Sequence, residues 1–160
     1  TRLVGSEMCI RDRENNTLWE TWNGDGNDEG CGHCHPMFGS VVAWFYHSLA
    51  GIKPDQSDPG MKHFYIEPMI VPDLKYCRTT YDSQYGKISS DWKIDENGNL
   101  NLKIEVPANT SATVIIPDWG GRTVLESGKP VSEVSNIVID KVDSSRMEVS
   151  SGVYHFVILK

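Results

Sequence analysis

No apolar run in the 160 residues is long enough to cross a bilayer as a helix, so no membrane partner is expected. Basic residues are in the minority, 15 against 22 acidic ones, for a net charge of −7. With no basic stripe to neutralise phosphates, nucleic acid drops out as a partner class. Cysteine is scarce: of four, only Cys31 and Cys34 are close together, which is not a disulfide framework. Repeats and low-complexity segments are missing too. No leader pattern is visible, and with Thr1 in place of an initiator Met this carries no information about compartment. What remains, 39% hydrophobic and 23% charged, is the composition of a globular chain with material for one ordinary core.

The densest chemistry lies in Thr17-Leu-Trp-Glu-Thr-Trp22 and His33-Cys-His-Pro-Met-Phe-Gly-Ser40. Between them runs an acidic, glycine-rich stretch, Asn23 to Gly30, which reads as a surface loop of the kind that frames binding sites. A carboxylate between aromatic rings suits a sugar site: rings stack on the apolar face of a pyranose while the acid works on a water or hydroxyl. The plainer alternative makes Trp19 and Trp22 core residues and Glu20 a solvated helix position.

Cys31-Gly-His-Cys-His35 invites a zinc reading. Five consecutive residues wrap a tetrahedral ion poorly, and a closed site draws ligand pairs from separated segments. The expectation is therefore no metal and no cofactor.

Farther along, Phe38, Val41, Val42, Phe45 and Leu49 recur at helical spacing and predict one helix over 38–50, with Gly51 as its C-cap. Trp44, Tyr46 and His47 fall off that stripe. Residues 52–60, with two prolines, two aspartates and a glycine, read as a linker. Strands are predicted at 63–66, 74–81, 88–94, 100–106, 112–116, 122–126, 136–139 and 153–159. Leu100, Leu102, Ile104 and Val106 alternate cleanly with Asn101, Lys103 and Glu105, and Asn97-Gly98 before them is a hairpin signal. Short strands between turn residues argue for an antiparallel β-sandwich.

Several motifs, in order, resemble bacterial α-L-rhamnosidases. They are Thr17-Leu-Trp-Glu20, His35-Pro-Met-Phe-Gly-Ser-Val-Val-x-Trp-Phe-Tyr46, Pro59-Gly-Met-Lys-His-Phe-Tyr-Ile-Glu-Pro68, Tyr81-Asp-Ser-Gln-Tyr-Gly-Lys-Ile-Ser-Ser90 and Val106-Pro-Ala-Asn-Thr110. The similarity covers about residues 14–160. It implies a mixed fold: residues 14–51 as the terminal helix-and-loop piece of an (α/α)6 catalytic barrel, then 52–160 as an antiparallel β-sandwich. Such enzymes are inverting hydrolases that need two carboxyl groups roughly 6.5–9.5 Å apart. By motif position Glu20 matches the general base and His35 a pocket-lining histidine, while Trp22 and Trp19 are candidates to stack on sugar. Trp19 has the barrel wall as an alternative, and His35 has a helix cap. The residue before that histidine is commonly Asn in such sequences and is Cys34 here. No match to the family's acid motif is found, so the resemblance implies part of an enzyme that removes rhamnose from a glycoside or polysaccharide, inactive alone. A structural or carbohydrate-binding sandwich is the alternative, and a row of exposed aromatics among Tyr76, Tyr81, Tyr85 and Trp92 would favour it.

Residues 1–13 match none of this. Leu3 to Arg13 back-translates to something resembling a transposase-type sequencing adapter, so that stretch is set aside as an artefactual tail.

Overall fold

A computed structural model describes residues 36–116 and 122–160. The chain divides into two compact units, Thr1–Trp44 and Phe45–Lys160. In the first, a 3-10 turn at Pro36–Gly39 leads into a short α-helix, α1, at Ser40–Trp44. The Ser40 hydroxyl donates to the Met37 carbonyl at 2.6 Å.

The second unit opens on a π-type turn, Phe45–Leu49, closed by the Ala50 amide donating to the Phe45 carbonyl at 2.9 Å. The helix expected over 38–50 is thus three short pieces of different pitch. A physical reason lies at its end, where regular helices leave carbonyls unpaired. Here the Trp92 indole donates to the Leu49 carbonyl at 2.9 Å and the Ser90 hydroxyl to the Ala50 carbonyl at 2.6 Å. Of the predicted stripe, Leu49 packs against the core, whereas Val41, Val42 and Phe45 are about half exposed. Gly51 then takes φ +75°, and a Cβ there would run into the Glu67 backbone, so the C-cap position demands glycine.

Nine strands follow among the described residues: β1 (Ile52–Pro54), β2 (His63–Ile66), β3 (Tyr76–Ser83), β4 (Gly86–Ile94), β5 (Leu100–Ile115), β6 (Val124–Glu126), β7 (Lys129–Pro130), β8 (Ile137–Ile139) and β9 (Arg146–Ile158). The expected linker at 52–60 therefore begins with a strand, and the two strands read at 100–106 and 112–116 are one. The registers resolve the fold into two half-sheets sharing the long strands β5 and β9. The first runs β3-β4-β5-β9-β6-β7 through Leu100–Val106 and Gly152–Ile158. The second runs β1-β2-β5-β9-β8 through Ser111–Ile115 and Arg146–Ser150.

The bend lies where pairing jumps from Val106↔Gly152 to Ser111↔Ser150. Pro107 has no N–H for the ladder, Asn109 turns with φ +61°, and the buried Thr110 hydroxyl satisfies the Pro107 carbonyl at 2.7 Å. Inner residues of both halves, such as Trp92, Leu102 and Phe156 from one and Phe64, Val114 and Met147 from the other, fill one buried cluster. That is a β-sandwich whose layers share two bent strands. It departs from a purely antiparallel one at a single place: β2 pairs β5 in parallel, from His63↔Ser111 to Ile66↔Val114. The chain leaves β2 for the first half-sheet and returns through β5, and such a crossover brings the two in the same direction.

The Asn97-Gly98 signal does mark a hairpin between β4 and β5. Its loop is longer than two residues, and the Asp95 carboxylate accepts the amides of Asn97 and Asn99 at 2.9 and 2.8 Å.

Candidate functional site

Glu20, His35, Trp19 and Trp22, together with Cys31 and Cys34 and the adapter-like tail, lie outside the described residues. Of the four aromatics singled out for a binding face, Trp92 is buried, and Tyr81, on the inward parity at the sheet edge, stays 41% exposed with its ring centroid 6.2 Å from that of Tyr46 in a T-shaped contact. Tyr76 is exposed on the outer face and Tyr85 sits in the β3–β4 turn. They do not form a row, because the pleat sends odd and even positions to opposite sides.

The outer face of the second half-sheet holds a different arrangement. In β2, Phe64 and Ile66 point into the core, so His63 and Tyr65 point out. In β9, Met147 and Val149 point in, so Arg146 and Glu148 point out. Cross-strand pairing puts Tyr65, Thr113, Glu148 and Val138 in one line. Between Asp55 on one side and residues 138–143 on the other lies an open cleft of about 770 Å³.

Its polar groups are held by the protein itself. The two ring nitrogens of His63 lie 2.8 Å from Ser111 Oγ and 3.0 Å from Thr113 Oγ1. The His63 and Tyr65 rings meet edge-on at 5.6 Å, and the Arg146 guanidinium stands over the Tyr65 ring at 5.8 Å. Asp55 accepts from the Ser57 amide and hydroxyl at 2.8 and 2.7 Å. The Ser57 hydroxyl, then its amide, hold the Asp55 carboxyl below its ordinary pKa, with a smaller pull from His63. Across the cleft the amides of Asp143 and Val142 hold Asp140 down likewise, helped by the charge of Arg146.

A second hollow, about 620 Å³, lies on the outer face of the first half-sheet. Arg78, Asp91, Lys103 and His155 stand in register across four strands. Two charge pairs lie here: Arg78 Nε is 3.5 Å from Asp91 Oδ2, and beside this row Lys87 Nζ is 2.9 Å from Glu105 Oε2.

None of the cleft residues was picked out from the sequence as a site. The outward positions of each strand are visible in its alternation, but the meeting of His63, Thr113 and Glu148 depends on pairing between segments far apart in the chain.

The pattern of the family described as the bacterial alpha-L-rhamnosidase C-terminal domain matches residues 51–130. An alpha-L-rhamnosidase of Formosa agariphila is 28% identical over 137 residues, covering 85% of this chain and 14% of its own length. The solved structure of alpha-L-rhamnosidase from Dictyoglumus thermophilum is 32% identical with a TM-score of 0.70, over 91% of this chain and 16% of that one. That of Streptomyces avermitilis alpha-L-rhamnosidase complexed with L-rhamnose is 28% identical with a TM-score of 0.65, over 89% and 14%. The chain thus spans about a seventh of the relatives it matches.

Proposed function

The chain belongs to the bacterial α-L-rhamnosidase C-terminal domain family, and from that premise we propose that it works as the carboxyl-terminal part of an enzyme hydrolysing terminal α-L-rhamnosides with inversion. The observation that carries this is the family match over 51–130, joined by structural similarity that extends over nearly the whole chain. In this reading residues 14–51 complete an (α/α)6 barrel and the sandwich is the rigid support that follows it. The anchoring of the Leu49 and Ala50 carbonyls by Trp92 and Ser90 supports that role, since two side chains of β4 fix the backbone at the entry to the sandwich.

Glu20 is assigned the general base, taking a proton from the water that attacks the anomeric carbon from the face opposite the leaving group. His35 hydrogen-bonds a sugar hydroxyl, and Trp22 and Trp19 offer apolar faces to the ring. The opposing acid belongs to a part of the enzyme not matched in this sequence, so the 160-residue chain alone is expected to hydrolyse nothing.

The test is turnover of an aryl α-L-rhamnoside by an enzyme in which this sequence follows the remainder of a rhamnosidase barrel. Glu20→Gln keeps shape and hydrogen bonding but removes the base, and loss of general base catalysis is worth about 10²–10⁴ in rate. A variant keeping more than about a tenth of the rate, above what that range allows, removes Glu20 from the mechanism. Release of the β-anomer as first product, read by NMR, checks inversion separately.

A further inference from the structure

We propose that the cleft on the second half-sheet binds a neutral sugar unit of a glycan; its choice of sugar rests on the rhamnosidase reading, its existence does not. Three features point to a polyhydroxylated, uncharged ligand. First, the charged groups in the cleft make no close ion pair with one another, although the charge of Arg146 reaches Asp140. Among the described residues neither Arg146 nor Glu148 makes a salt bridge, and the one such pair on this face, Lys53–Glu67, lies outside the cleft lining. Second, those groups are pre-oriented: Arg146 over the Tyr65 ring, His63 between two hydroxyls, Asp55 by Ser57. Orienting polar groups before binding lowers the cost of ordering them at an interface.

Third, the mixture of groups selects the ligand. A guanidinium offers only donors and a carboxylate only acceptors, so side by side they suit a hydroxyl, which is both. Asp55, Asp140, Asp143 and Glu148 outnumber Lys141 and Arg146 around the cleft, which disfavours an anion. Val138, outward on β8, supplies an apolar wall for the C–H face of a pyranose.

The experiment uses the 160-residue chain and amide chemical shifts, titrated with methyl α-L-rhamnopyranoside and, separately, methyl β-D-glucopyranoside. Saturable shifts at Tyr65, Thr113 and Glu148 with either glycoside, at a Kd on the order of 1 mM, are expected. Arg146→Ala and Glu148→Gln are each expected to weaken binding roughly tenfold, the loss of a hydrogen bond to a charged group. Glu148 is exposed, so its variant keeps the fold if Arg146→Ala does not. No saturation at about 50 mM, some fifty times that Kd, overturns the proposal. So do shifts clustered elsewhere, binding unaltered in Glu148→Gln, or a stronger response to inorganic sulfate than to either glycoside. Because no turnover is read, an inactive Glu20→Gln enzyme and an empty cleft are separate results.

Discussion

The hollows on the outer faces of the two half-sheets differ in how their charges are held. On the first, Arg78 meets Asp91 and Lys87 meets Glu105 across neighbouring strands, while Lys93 and Lys103 make no such pair among the described residues. On the second, Arg146 and Glu148 sit in a hollow between Asp55 and residues 138–143, where Arg146 stands over the Tyr65 ring and neither makes a salt bridge among the described residues. The difference is one of purpose. Cross-strand pairs help set register and deter edge pairing, whereas unpaired charge in a concave, pre-ordered setting is available to something else.

The comparison assumes two faces on one core, and that is the largest effect to test. Trp92 is buried, belongs to the first half-sheet and lies in the same cluster as Phe64 and Met147 of the second. Trp92→Ala is expected to cost about 3–5 kcal/mol, and amides of both half-sheets should lose hydrogen-exchange protection together. Protection surviving at Tyr65 and Glu148 while Ile104 exchanges freely would make the halves separate folding units. Trp92→Phe should cost less: it keeps a ring but loses the bond to the Leu49 carbonyl, worth about 1 kcal/mol.

How far the sequence foretold these faces depends on where local pattern suffices. The run Leu100–Val106 announced its strand and its inner face because every second residue is aliphatic. Ile52-Lys-Pro54 did not, since prolines and aspartates around it spell a linker, and only pairing with Tyr65 and Phe64 makes it a strand. Pro107 to Asn109 looked like a gap between two strands and is a bend within one. The first half of β9 was missed because Ser150, Ser151 and Gly152 interrupt its alternation. The parallel β2–β5 contact, on which the cleft floor depends, has no local signature at all. Glu20 and His35 rest on motif resemblance alone.

A smaller effect separates paired from unpaired charge directly. Double-mutant cycles on Lys87 and Glu105 should give a small favourable coupling that fades in 1 M salt, where the screening length falls to about 3 Å. The same cycle on Arg146 and Glu148 should give a coupling near zero. Arg146→Ala alone should still cost about 0.5–1 kcal/mol through the lost cation–π contact with Tyr65. A coupling at Arg146–Glu148 as large as that at Lys87–Glu105 would erase the contrast between the faces.

The smallest effect is in pH, and its sign differs between the carboxylates and Lys87. Asp55 and Asp140 at the cleft, and Asp95 in the β4–β5 hairpin, all have carboxyls held below the ordinary value of 3.8. A depressed folded pKa gives stability that is present above the unfolded pKa and lost as pH falls through the folded one. The acid limb therefore weakens both half-sheets below about pH 4 and does not tell them apart. The alkaline limb concerns Lys87 of the first. Lys87 is raised above 10.5, first by its hydrogen bond to Glu105 and then by that carboxylate's charge. A raised folded pKa gives stability that is whole below the unfolded pKa and lost as pH rises through the folded one. Lys87→Gln should therefore remove part of the stability decline above pH 10.5. Chemical denaturation from pH 9 to 11.5, a span bracketing the ordinary lysine pKa of about 10.4, measures it. An alkaline limb unchanged by Lys87→Gln would show that Glu105 does not hold the Lys87 cation in the folded state.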